Sequence, residues 1–120
     1  MTYQQIDPRV LYRAIGEDLD AFRALSQTYL DIAPPLFERL QRALAAADDA
    51  ATALESHSLR GSTALVGAVH LTALLQDIES HARRGAARPG LPQVAELGRL
   101  FGLVMHEVRL SMVQFQGCGG

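Results

Sequence analysis

Along almost the whole 120-residue chain, apolar residues return every third or fourth position, and no stretch alternates apolar with polar residues. That period belongs to one face of an α-helix, and without a two-residue alternation there is nothing from which to build a sheet. An all-α fold is therefore expected. The few interruptions carry start and stop signals. Asp7-Pro8 supplies an N-cap followed by proline at the first helical position. It opens a short helix to about Gly16, with Val10, Leu11, Ala14 and Ile15 turned inward. A second helix starts near Asp18 or Asp20 and carries Phe22, Leu25, Tyr29 and Leu30 at helical spacing. Pro34-Pro35 falls inside it, where each proline removes an amide donor and crowds the preceding turn. Leu36, Phe37, Leu40 and Leu44 resume the period at once. One long helix kinked at the prolines is predicted, with two separate helices as the alternative.

Asp48-Asp49 gives a fresh N-cap for a third helix that should end near Val66-Gly67, where glycine suits a helix C-terminus. A fourth helix runs from about Ala68 to Arg84 through Leu71, Leu74, Leu75 and Ile78. Gly85 to Pro92 reads as a loop. A last helix spans roughly Gln93 to Val113, with Val94, Leu97, Phe101, Val104 and Val108 facing inward. Short connections between long amphipathic helices favour antiparallel neighbours. The prediction is an antiparallel, up-down-up-down four-helix bundle with a short additional N-terminal helix. It forms one domain over residues 1–116, followed by a Gly-rich tail over 117–120.

Composition excludes several classes of function. With 48% apolar residues and a net charge of -2, the chain is neither disordered nor a polycation that binds nucleic acid. Its single cysteine, Cys118, rules out a disulfide framework and a Cys-based zinc site, and leaves a free thiol in the tail. No apolar run reaches membrane-spanning length and no secretory signal is visible, so a cytoplasmic protein without membrane contact is expected. His70, His81 and His106 invite a metal reading, but no Glu-x-x-His pair of the di-iron bundle type is present.

The stretch Glu55-Ser56-His57-Ser58-Leu59-Arg60-Gly61-Ser62 is the most informative chemically. At about 100° per residue, Leu59 and Val66 lie on the side of the third helix opposite His57, while Arg60, Gly61 and Ala64 fall within about 60° of it. His57 therefore points outward as an accessible imidazole, a nitrogen nucleophile. A glycine inside a helix costs roughly 1 kcal/mol against alanine, so Gly61 suggests that something approaches the backbone closely. Nucleophile, cation and bare backbone on one face suit a site that receives a phosphoryl group from a docking partner. Counted from a turn at Gly67-Ala68, His57 and Glu79 both lie roughly 15–18 Å along their helices. Glu79, or Gln76 one turn earlier, is placed to accept a hydrogen bond from one ring nitrogen and leave the other free. The same pattern also fits a surface histidine without a role and two solvated polar residues.

The run from Ser56 to Ser62, followed by Gly67-Ala68, Leu71, Leu74 and Glu79, resembles the histidine phosphotransfer (HPt) domain family, with the likeness extending from about Ile6 to Phe115. The resemblance implies that His57 is the phospho-acceptor, that Arg60 stands where the family usually has lysine, and that Gly61 is the small residue that lets a receiver dock. It also puts Glu79 at the position that bonds the other ring nitrogen. The planar fork of Arg60 is not equivalent to an ammonium group. Ala53 and Ala64 are expected to extend the docking surface. The implied partner is the receiver domain of a response regulator or hybrid histidine kinase, which would supply Mg²⁺; no cofactor is expected on this chain, and a monomer is expected. No nucleotide-binding loop is present, so a phosphocarrier rather than an enzyme is implied. The alternative is a non-phosphorylated helical-bundle module that sequesters a response regulator or histidine kinase.

Overall fold

In the computed structural model, which describes residues 3–85 and 91–117, five helices follow one another: α1 (Pro8–Ala14), α2 (Leu19–Ala45), α3 (Asp49–Leu65), α4 (Val69–Arg84) and α5 (Leu91–Gln114). Three aspartates start the first three of them. Asp7 accepts from the Arg9 amide, Asp18 from Asp20 and Ala21, and Asp48 from Ala51. Each satisfies an amide that the helix leaves without an internal partner, a contribution of about 1 kcal/mol. α2 runs unbroken through Pro34 and Pro35. It is thus one long helix and not two, although both prolines withhold their amides from the ladder. Cys118 and residues 86–90 of the last connection lie outside the described residues.

α2, α3, α4 and α5 pack as a ring in which each touches its neighbours, while α1 lies against α2 and α3. Leu40, Leu59, Leu71, Leu75, Ile78, Leu97, Val104 and Val108 fill the centre, each essentially free of solvent. At about 1.5–3 kcal/mol for each fully buried aliphatic side chain, this core dominates the stabilisation of the bundle. The inward set differs from the sequence expectation in detail. Val10, Leu25 and Val94 are exposed, as is Ala14, because the short α1 and the ends of the long helices meet the core along a narrower stripe than a helical wheel implies. Both flanks of the helical bundle are tied in among the described residues. The Glu107 carboxylate accepts the amides of Gln4, Gln5 and Ile6 at 2.8–3.2 Å. Just beyond α5, Phe115 packs between Tyr12 and Phe22, with centroids 5.2 and 4.9 Å away, so this aromatic residue serves the fold while Val113 stays exposed.

One glycine fixes how α3 turns into α4. Gly67 sits at φ +75, and a Cβ there would lie 2.6 Å from the Asp7 carbonyl oxygen and 2.9 Å from its amide nitrogen. Both the left-handed backbone and the close approach of α1's entry segment exclude a side chain. Gly61 is the contrary case: it is helical, and nothing lies within 4 Å of its missing Cβ. Gly67→Ala is expected to cost about 2–4 kcal/mol in chemical denaturation. Gly61→Ala should instead stabilise the protein by about 1 kcal/mol.

Candidate functional site

The orientation of α3 about its own axis is set on its buried side. Leu59 and Thr63 point into the bundle, and the Thr63 hydroxyl lies 2.9 Å from the phenol of Tyr29 on α2. Burial pushes the Tyr29 phenol up to about 12, against a smaller lowering by the Thr63 bond, so it stays neutral and serves as a fixed hydrogen-bonding partner. On the flank, Arg39 of α2 meets Glu55 at 3.2 Å. With that side of α3 locked inward, His57 emerges on the other, its side chain 56% exposed.

Beside it stands a carboxylate shared by three side chains. Glu79 on α4 keeps only 9% of its side chain exposed and places Oε2 3.1 Å from His57 Nδ1. Arg60 donates from Nε to Oε1 at 3.0 Å, and Arg83 donates to Oε2 from Nε at 2.9 Å and Nη2 at 2.8 Å. Burial alone would raise the Glu79 carboxyl. It is outweighed by the Arg83 hydrogen bonds, then by the Arg60 charge and then by His57, and the carboxyl stays below its ordinary value. One carboxylate between two guanidinium groups leaves the cluster with a net positive charge of one when the imidazole is neutral, a field suited to an anionic group arriving at His57.

His57 Nδ1 is a contested atom. Besides Glu79 Oε2 it has Arg60 Nη2 at 3.0 Å. A guanidinium only donates and a carboxylate only accepts, so Nδ1 serves one of them at a time. With its proton in place, Nδ1 donates to Glu79 and the lone pair lies on Nε2; without it, Nδ1 accepts from Arg60 and Nε2 carries the proton. The carboxylate is the more deeply buried of the two partners, so its need for donors weighs toward the first tautomer. Arg60 keeps its Nε bond to Glu79 in either case.

The structure gathers His57, Arg60 and Glu79 into one cluster. Gln76 is exposed one turn earlier on α4, and the bond to the imidazole comes from Glu79. Gly61 and Ala64 are exposed on the His57 face. Ala53 requires a correction, since only 5% of it is exposed. A helical wheel gives its direction correctly, but the C-terminal turn of α4, with Ala82 and Arg83, lies against that part of α3 and lines a groove with it. Leu54, 62% exposed and three residues before His57, offers the apolar surface that Ala53 cannot. The sequence reading missed both Leu54 and Arg83. Their signals were helical offsets: three residues from His57 for one, four from Glu79 for the other. Among the described residues, no three His, Cys, Asp or Glu side chains gather as a metal site, and no helix is long and apolar enough to cross a membrane.

The Glu79 cluster couples stability to pH with a definite sign. A carboxyl held below its ordinary value in the folded state stabilises the fold above the unfolded value, and that contribution is lost as pH falls through the folded one. Wild-type denaturation midpoints should therefore decline on acidification. Glu79→Gln is expected to lower stability by about 1–3 kcal/mol at neutral pH and to flatten the acid limb. Asp7, whose carboxyl its Arg9 hydrogen bond also holds low, contributes to what remains of that limb. An acid limb as steep as wild type in the variant would mean that Glu79 is not the coupled group.

Comparison with known proteins adds a family to this geometry. No curated protein is significantly similar to the chain in sequence. Among solved structures, histidine-containing phosphotransfer protein B (HptB) from Pseudomonas aeruginosa superimposes with a TM-score of 0.82 at 24% identity, covering 96% of this chain and 100% of that one. At this identity the likeness establishes the helical-bundle fold. A family model of the Hpt domain matches residues 24–114, which take in α3, α4, α5 and most of α2. The chain thus belongs to the Hpt domain family, the phosphotransfer proteins of two-component systems.

Proposed function

We propose that this protein carries a phosphoryl group between receiver-domain aspartates, holding it in transit as phosphohistidine at His57. The observation that carries this reading is the exposed imidazole whose Nδ1 lies on the buried Glu79 carboxylate. Donation of the Nδ1 proton to Glu79 leaves the Nε2 lone pair facing solvent, where a phosphoaspartate can reach it. Nε2 attacks phosphorus, an N–P bond forms, the P–O bond to the aspartate breaks, and the aspartate leaves as a carboxylate. Transfer onward reverses these steps on a second receiver. Little covalent chemistry is asked of the chain beyond the nucleophile; placement and charge neutralisation do the rest.

Arg60 is the nearest cation to His57 and lies on the same face of α3, so it is the group we assign to the incoming phosphate charge. Glu79 orients the ring. Gly61 and Ala64, with Leu54 beside them, form the small-residue surface on which a receiver would settle. The partner would bring its aspartate and the Mg²⁺ that shields the phosphate; this chain would act as a monomeric domain over residues 1–116, in the cytoplasm, as a carrier rather than a kinase.

Incubation with receivers charged by a small phosphodonor tests the reading, with wild type and His57→Gln side by side. An acid-labile, base-stable label on wild type alone is expected. Receiver binding by both proteins, with transfer to neither, would overturn the carrier role and favour a module that only sequesters its partner.

A further inference from the structure

Arg83 has no place in the steps above, yet it makes the two shortest polar contacts to Glu79, at 2.9 and 2.8 Å, both on the oxygen that faces His57 Nδ1. Arg60 takes the other oxygen and also reaches toward the ring. The two arginines are therefore not redundant. Arg60 touches both members of the His57–Glu79 pair, while Arg83 touches the carboxylate and not the imidazole. We infer that Arg83 is a positioning residue: it holds Glu79 Oε2 in place and meets part of that oxygen's demand for donors, and it keeps the buried carboxylate paired when Arg60 turns to a phosphoryl group on His57.

The inference rests on the carrier reading for its second half, because only then does Arg60 have an anion to serve. A buried carboxylate deprived of its partners is strongly destabilising. If Arg60 were its sole cation, Arg60's departure toward phosphate would leave Glu79 bare, and Glu79 would hold Arg60 back. With Arg83 in place, one cation moves and the other stays. Arg83 suits the static role. It lies four residues after Glu79 on the same helix, a spacing at which side chains meet, and it approaches the carboxylate with two nitrogens of its fork. It sits in the last turn of α4, where a cation also faces the helix dipole favourably. Arg84 shares that turn but donates to neither Glu79 nor His57 among the described contacts. It therefore brings the same charge to the helix end without the positioning contact.

The side chain of Arg83 is 57% exposed, so Arg83→Ala should leave the bundle folded, which circular dichroism checks. The readout is the ¹⁵N chemical shifts of the His57 imidazole with the ring neutral, which report the tautomer directly and need no phosphotransfer. In wild type and Arg84→Ala the Nδ1–H form should dominate. In Arg83→Ala the carboxylate has lost two donors and leans harder on the ring and on Arg60. The balance should therefore move further toward Nδ1–H by about fivefold, the weight of one net hydrogen bond. Phosphoryl acceptance from a charged receiver should slow by a similar factor, because Arg60 is held on Glu79. An unchanged tautomer in Arg83→Ala, a shift toward Nε2–H, or an equal shift in Arg84→Ala would overturn the inference. If the tautomer responds as expected but wild type takes up no phosphoryl group from any receiver, the positioning of Glu79 by Arg83 stands and the carrier reading fails.

Discussion

A carboxylate with almost no solvent contact, lying between two helices, is the element on which this site depends. Glu79 is acceptable there only because donors surround it: Arg60 on one oxygen, Arg83 and the His57 ring on the other. Each donor is in turn held in place by the carboxylate. The arrangement turns a local requirement, that a buried charge be paired, into a geometric one, that an exposed imidazole keep one chosen edge toward the protein. Its opposite edge is then free by elimination. A histidine on a helix surface is otherwise a mobile side chain with two interchangeable nitrogens.

The rest of the fold serves to bring that pair level. His57 and Glu79 sit on consecutive helices, so their registration is decided at the turn between them, and the turn is decided by Gly67 pressed against the backbone of Asp7. Rotation of α3 about its axis is decided on its inner side by Leu59, Thr63 and the neutral Tyr29 phenol. The short α1 thus contributes to a site it never touches, because its entry segment is what Gly67 packs on. A bundle built only for stability would have put alanine at Gly61, where nothing inside the chain objects to a Cβ. Gly98 and Gly102 on α5 share that freedom, so open space alone does not mark a docking surface. What sets Gly61 apart is its place beside Arg60 and one turn from His57.

Much of this was legible in the amino-acid sequence, and the limits of legibility have physical causes. Helix starts were readable because Asp7, Asp18 and Asp48 cap them, and residues of α3 could be sorted by face because a helix has a fixed period. The periodic apolar pattern also reads straight through Pro34-Pro35, as the continuous α2 confirms. What a wheel cannot give is how far a neighbouring helix extends. That is why Ala53, on the His57 face by angle, is covered by the end of α4, and why Val10, Leu25 and Val94 escape the core. Side-chain reach was equally invisible. Counting residues from the turn left Glu79 and Gln76 as rivals for His57, and it gave no hint that Arg60 would contact the carboxylate as well as the ring. Arg83 went unread because a cation near the end of a helix is ordinary until the carboxylate one turn earlier proves to be buried.

The most direct test of the central claim, that Glu79 takes Nδ1 and leaves Nε2 to react, is to locate the bond in the phosphorylated protein. NMR of the ¹⁵N-labelled chain after phosphoryl transfer distinguishes the two ring nitrogens through their coupling to ³¹P. Phosphorus on Nε2 of His57 is the expected result. Phosphorus on Nδ1, or on any of His70, His81 and His106, would contradict it.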